Sequence, residues 1–339
     1  MKKHLVIFSI LLISLLSFSL MGCGSNSGSS AGENVAGSSG NTDTAGNADN
    51  TEEPLRFMAA NVGGEWYPIA VAISESWKGM GIESTVLPGG GASNVLGLSQ
   101  NQGDIGFTFS VTAVDGTAGN EPFEKPLEGY RALLCLNASY VQPVVYANSG
   151  IESIEDLRGK RINVYTKGYT SELNARLVLK TYGLTYEDMS AVNYLGDDDA
   201  IDQLKDGHLD CTISTGGIPD SGFIDMASVR PIRVLGMDQD KLAEATELND
   251  GLYSTVIPAG TYGIPEDVNV LGTRLMLIVR TEIPEETVYN LVKGVHENLT
   301  SLYHVNSNLE EVTIETMAAD CGIDYHPGAI KYYQEQGVI

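Results

Sequence analysis

From residue 54 onward, short apolar runs alternate with segments whose apolar residues recur every three or four positions, and glycine-rich breaks separate them. Residues 55–60 read as a buried strand ended by Gly63-Gly64, and Tyr67 opens a helix with Ala70, Ile73 and Trp77 on one face, up to Gly79-Met80-Gly81. Residues 82–87 alternate as a strand, Pro88 to Gly91 break the chain, residues 93–100 form a helix and 104–109 a third strand. The same order recurs further on. It comprises a strand at 161–165, a polar loop at 166–170, a helix at 171–182, a strand at 191–195, a helix at 199–205 and a strand at 209–214. Gly216-Gly217-Ile218-Pro219 then opens another helix. Two β-α-β-α-β units imply an α/β protein built from two similar, doubly wound lobes.

Open parallel sheets bind ligands beyond the carboxyl ends of their strands, where helices begin. The glycine- and hydroxyl-rich segments fall there: 63–68, 88–94, 109–112, 167–171 and 216–219. Helix starts present unpaired N–H groups and partial positive charge, so they hold a carboxylate without needing an arginine. Two such lobes facing each other close like a clamshell on a small ligand.

The first 53 residues follow other rules. Met1-Lys2-Lys3 precede an apolar run from Leu5 to Leu20, then Leu20-Met21-Gly22-Cys23. This pattern of a cationic head, a short apolar stretch and a lipobox-like site predicts that residues 1–22 are a removed lipoprotein signal peptide and that Cys23 carries the lipid. Residues 23–53 are rich in Ser, Gly, Asn and Ala, with Val35 the only bulky aliphatic. Such a leash spans roughly 30 Å root-mean-square. The predicted location is the extracytoplasmic face of a membrane, by lipid anchor.

The acidic excess, 44 Asp and Glu against 20 Lys and Arg, sets a net charge of −24 and makes nucleic acid a poor partner. Cys135, Cys211 and Cys321 are an odd number and form no CxxC, and Cys135 and Cys211 lie in apolar, strand-like runs, so no disulfide or thiolate metal site is expected. Asp197-Asp198-Asp199 lack the spacing of a calcium loop and read as helix-start acids rather than metal ligands. No HExxH, SxxK, Walker A, GxSxG elbow or post-strand GxGxxG marks an enzyme or a cofactor.

An ordered set of motifs resembles the TAXI family, the solute receptors of tripartite ATP-independent (TRAP) transporters. It comprises Gly63-Gly64-Glu65-Trp66-Tyr67-Pro68, Gly89-Gly90-Gly91-Ala92-Ser93-Asn94, Asp156-Leu157-Arg158-Gly159-Lys160 and Glu172-Leu173-Asn174-Ala175-Arg176. Gly216-Gly217-Ile218-Pro219, Ile257-Pro258-Ala259-Gly260-Thr261-Tyr262 and His326-Pro327-Gly328-Ala329 complete it. The resemblance implies a type II periplasmic-binding-protein-like fold with a ligand cleft between lobes joined by hinge strands. Lobe 1 would comprise 54–145 and 266–339 and lobe 2 would comprise 146–265, with crossings near 143–146 and 274–279. It also implies a carboxylate-bearing solute such as glutamate, glutamine or a dicarboxylate, and delivery to TRAP membrane permease subunits. The body is expected to be a monomer. Gly168-Tyr169-Thr170-Ser171, preceded by Lys167, departs from the family's usual Gly-Ser-Gly-Thr turn.

The ligand-binding candidates are Gly64, Trp66, Tyr67, Gly91, Ala92, Ser93, Asn94, Ser110, Lys167, Tyr169, Thr170, Ser171, Gly217, Pro219 and Tyr262. Each also has a plain structural reading, since glycine, Ser and Asn at a helix start serve as caps. Two other readings keep the fold and change the partner: the permease of an ATP-driven (ABC) importer, or a receptor kinase that senses the closed form.

Overall fold

The structure, a computed structural model, describes residues 53–339 apart from Asn61 and Gly63. The signal peptide, Cys23 and the linker up to residue 52 lie outside the described residues. In the first half, β1 (Leu55–Met58), α1 (Trp66–Lys78), β2 (Ser84–Leu87), α2 (Gly91–Ser99), β3 (Ile105–Phe109) and α3 (Ser110–Ala118) follow one another. β1 pairs in parallel with both β2 and β3. The long β4 (Tyr130–Tyr146) then leads into a second run: β5 (Arg161–Asn163), α4 (Thr170–Thr181), β6 (Ala191–Asn193), α5 (Asp197–Lys205) and β7 (Cys211–Gly216). It continues through α6 (Ser221–Val229), β8 (Ile232–Val234), α7 (Gln239–Glu247) and β9 (Tyr253–Ile257). The chain returns along β10 (Val268–Arg280) and ends in α8 (Glu285–Glu297), α9 (Leu299–Tyr303), α10 (Ile314–Met317) and α11 (Pro327–Gln336).

The strand order is β2-β1-β3-β10-β4-β7-β5-β6, with β8 on β4 and β9 on β10. Two strands belong to both halves. β4 pairs with β10 from Tyr130 to Tyr140 and with β7 from Tyr140 to Val144. β10 pairs with β9 from Val268 to Gly272 and with β3 from Leu275 to Val279. On β4 the changeover lies at Tyr140, earlier than the 143–146 the sequence suggested, because Tyr140 to Val144 are already paired with β7. β4 is buried along nearly its whole length, as a central strand covered on both faces must be, and its apolar run follows from that.

Packing explains the ends of the chain. Ile69, Ala70, Ile73 and Trp77 are buried on α1. The Trp77 indole N–H donates to Leu291 O of α8 at 2.9 Å. Val288, Leu291, Val292 and Val295 form the buried stripe of α8, while Leu299 falls beyond the break at Asn298 and opens α9. Each fully buried Leu or Ile contributes roughly 1.5–3 kcal/mol. Tyr333 of α11 donates to Leu133 O at 3.0 Å, tying the last helix to β4. His326 caps that helix, its Nδ1 accepting from Gly328 N at 3.2 Å.

Several boundaries differ from the sequence expectation by one to three residues, and two of them lie in the second run. α5 begins at Asp197 rather than 199, so all three aspartates sit in the first turn, where the helix dipole favours negative charge. The helix after Gly216 to Pro219 begins only at Ser221, where the Asp220 carboxylate accepts from Phe223 N at 3.0 Å. Cys135, Cys211 and Cys321 are free and buried.

Candidate functional site

A cavity of about 270 Å³ lies where the strand ends of the two halves meet. Four helix starts reach it: Glu65 and Trp66 of α1, Gly90 and Gly91 of α2, Tyr169 to Ser171 of α4, and Asp197 of α5. Phe109 closes β3, and Thr215 to Gly217 close β7. Asn137 and Ser139 of β4 and Leu275 of β10 come from the two shared strands, close to where those strands change partner.

The turn before α2 is shaped by Asn94. Its Nδ2 donates to Ala59 O and Phe107 O, each at 2.8 Å, and to Met58 O at 3.1 Å. Its Oδ1 accepts from Gly90 N at 2.9 Å. This one amide joins the ends of β1 and β3 to the glycine turn. A Cβ on Gly89 would lie 2.0 Å from Asn94 Oδ1, so only glycine fits there.

The turn before α4 is held by a charge. Glu172 is fully buried and accepts from Gly168 N at 3.1 Å, from Tyr186 Oη at 2.8 Å and from Arg176 Nη2 at 2.7 Å. Arg176 also reaches the other half, pairing with Glu121 at 2.7 Å. Nearby, the Thr112 and Thr170 hydroxyls share a buried hydrogen bond of 2.7 Å across the halves.

The fold is shared with known proteins. The NMT1-like family model matches residues 57–337. The chain belongs to the NMT1-like family. A solved structure of a TctC solute binding protein from Polaromonas, without ligand, resembles this NMT1-like chain with 15% identity and a TM-score of 0.51, covering 84% of this chain and 98% of that one. The periplasmic aliphatic sulphonate binding protein SsuA from Escherichia coli is similar at 16% identity and TM-score 0.44, over 84% and 79% of the two chains. A putative L-cystine ABC transporter from Listeria monocytogenes gives 13% identity and TM-score 0.44, over 76% and 95%. At these identities the Polaromonas likeness shows the fold: two α/β lobes joined by shared strands.

The NMT1-like chain brings seven of its sequence candidates to the cavity wall: Gly64, Trp66, Gly91, Tyr169, Thr170, Ser171 and Gly217. Trp66 is half-buried, and its ring meets Phe109 edge-on at 5.0 Å. Other candidates support the wall from behind. Asn94 sets the turn described above, and Ser93 Oγ donates to Gly90 O at 2.9 Å. Tyr262 Oη donates to Gln142 Oε1 at 2.8 Å and accepts from Asp220 N at 2.8 Å, bracing the segment after Gly217. Burial pushes the Tyr262 phenol up, so it stays a protonated donor. Ser110 is buried away from the cavity, its hydroxyl donating to Gly251 O at 2.6 Å. Tyr67 packs against the core, Ala92 and Pro219 stand off the lining, and the Lys167 ammonium lies 5.9 Å over the Tyr194 ring.

Sequence reasoning did not single out Asn137, Ser139, Tyr165 or Thr215 as ligand contacts, and read Asp197 as a helix-start acid. Tyr165 occupies left-handed backbone (φ 68), rare for a residue with a side chain, and meets Tyr169 edge-on at 5.8 Å. Asp197 lines the cavity and is itself exposed to solvent. The protein mass gathered around its carboxyl first, then the charges of Asp220, Asp198 and Glu65, push it up to about 6, a shift that its open side to water moderates. Among the described residues, no Lys, Arg or His lines the cavity.

Proposed function

We propose that this protein is an extracytoplasmic solute receptor of the TAXI type, anchored by lipid at Cys23, that captures a small carboxylate-bearing molecule and delivers it to a TRAP permease. The observation that carries this reading is the cavity at the junction of two α/β halves, where four helices begin and the two shared strands supply the floor. A cavity of about 270 Å³ suits a metabolite, being just under the roughly 300–1,000 Å³ usual for drug-sized ligands. Residues 54–145 with 266–339 would form one lobe and 146–265 the other, closing about β4 and β10.

Bare helix starts at Gly91 and at Thr170-Ser171 give the carboxylate its donors. Binding rather than turnover is the work of such a site, and the energy for uptake would come from the permease. A thermal-shift screen of the purified full-length chain against amino acids and organic acids tests the reading. A concentration-dependent rise in midpoint that Ser139→Ala and Trp66→Ala both weaken supports it. A flat response to every compound rejects it. A large permease gene beside this one, with no ATPase gene, favours the TRAP partner over an ABC importer.

A further inference from the structure

The fold treats the three buried cysteines unequally. Cys211 of β7 lies in a different core cluster from the other two. Cys135 of β4 and Cys321, in the segment between α10 and α11, are buried together with Met276 and Ile278. That segment crosses β4 at Cys135. Cys135 Sγ lies 3.6 Å from Ala319 O, 184 residues further along the chain, and 3.3 Å from Tyr325 Oη. Tyr325 Oη donates to Ala319 O at 2.6 Å, and Cys321 Sγ donates to Ile323 O at 3.5 Å. Residues 319, 323 and 325 thus wrap the two sulfurs, and inside that wrap the thiols of Cys135 and Cys321 face each other.

Two features set these thiols apart. Asp320 and Gly322, on either side of Cys321, line an open surface hollow, whereas Cys135 sits in the middle of β4 against Ala319. The facing Cys135 S–H holds the Cys321 thiol below its usual pKa, against the opposing pull of burial. The same contact, and then burial, push the Cys135 thiol well above its own. The thiolate is the nucleophile in disulfide exchange, so the thiol that ionises beside the hollow is the one to attack.

We propose that Cys135 and Cys321 are a disulfide-forming pair, with Cys321 the attacking thiol, Cys135 the resolving one, and Cys211 taking no part. The oxidant is a small disulfide of the glutathione class. The Cys321 thiolate attacks one of its sulfurs, forming a mixed disulfide and expelling one thiolate. Cys135 then gives up its proton and attacks Cys321 Sγ, expelling the second. The protein loses two protons and two electrons, and the oxidant takes them up as two thiols. The bond closes a long loop, the case in which restricting the unfolded chain gains most. Cys135 stands two residues before Asn137, so the staple holds the strand that floors the cavity. The pairing does not depend on which solute binds, and a chain on the outer face of a membrane meets oxidants of this class.

Refolding the reduced, full-length chain in a buffer of oxidised and reduced glutathione tests the pair. The product is quenched in acid, alkylated and mapped by mass spectrometry. The expected map shows peptides joined through Cys135 and Cys321, with Cys211 alkylated. The oxidised chain melts about 5 °C above the same chain in reductant. Cys211→Ala keeps both the link and the shift, and Cys321→Ala loses both. Folded Cys135→Ala, given oxidised glutathione, carries one glutathione on Cys321, while folded Cys321→Ala carries none on Cys135. The map of the unaltered chain decides the pairing even where a variant fails to fold. Alkylation of both Cys135 and Cys321, or a link through Cys211, overturns the pair. An oxidised chain that melts no higher overturns the staple, and an adduct on Cys135 but not Cys321 overturns the order of attack.

Discussion

The turns that precede α2 and α4 occupy matching places in the two halves and are held by opposite chemistry. Asn94 fixes the first with a neutral amide that spends its bonds on backbone of its own half. Glu172 fixes the second with a buried carboxylate that depends on Arg176, and Arg176 in turn reaches Glu121 in the other half. A satisfied amide is self-contained. A buried ion needs its partner, because an unpaired charge there is far more costly than an unpaired amide. The anchor of the α4 turn is thereby coupled to the meeting of the halves, and the anchor of the α2 turn is not.

Removing each anchor measures that difference. Arg176→Ala leaves Glu172 buried without its counter-ion and costs about 3–5 kcal/mol in denaturant unfolding. Asn94→Ala leaves several backbone groups short of a partner and costs about 1–3 kcal/mol by the same measurement. Equal costs for the two would erase the distinction. Glu121→Gln breaks only the solvent-exposed arm of the bridge, so its stability cost stays under about 1 kcal/mol. Its effect shows instead as faster release of bound solute in stopped-flow fluorescence of Trp66, with no counterpart in the first half.

The smallest effect concerns Asp197, whose carboxyl is pushed up to about 6 against an ordinary 3.8 but stands exposed at the cavity edge, where solvent screening discounts what the shift is worth in stability. The folded chain holds this proton more tightly than the unfolded chain, so the contribution present at low pH is lost as pH rises through about 6. Ligand-free Asp197→Asn therefore melts above the unaltered protein at pH 7–8, and the gap closes below about pH 4. A gap that stays constant from pH 4 to 8 would show that Asp197 does not titrate in this way.

Much of the architecture was legible because each signal was local. Glycine clusters ended strands where the sheet ends, and Ala70, Ile73 and Trp77 marked one face of α1. The five glycine- and hydroxyl-rich segments did converge on one cavity. Which residue within a segment faces the cavity was harder to read. Trp66 rather than Tyr67 lines it, and that depends on where α1 starts, an end that local pattern fixes only to within a residue or two. Asn94 looked like a contact and proved to be a brace, because its role needs the positions of β1 and β3. Ser139 and Asn137 were hidden for a different reason. They interrupt the apolar run of β4 at alternate positions, so they share a face, but only the pairing with β10 shows which face meets the cavity. Tyr165 depends on a backbone conformation that side-chain pattern does not encode.

The place of β10 between β3 and β4 has a consequence for biogenesis. A nascent chain that has emerged only as far as residue 267 already carries β1 to β9, yet its first sheet lacks the strand that fills its middle. β3 and the first part of β4 then expose unpaired edges to whatever surrounds the emerging chain. That half can close only after residues 275–280 arrive, so a lengthy window remains in which the polypeptide is unfinished and open to holding factors.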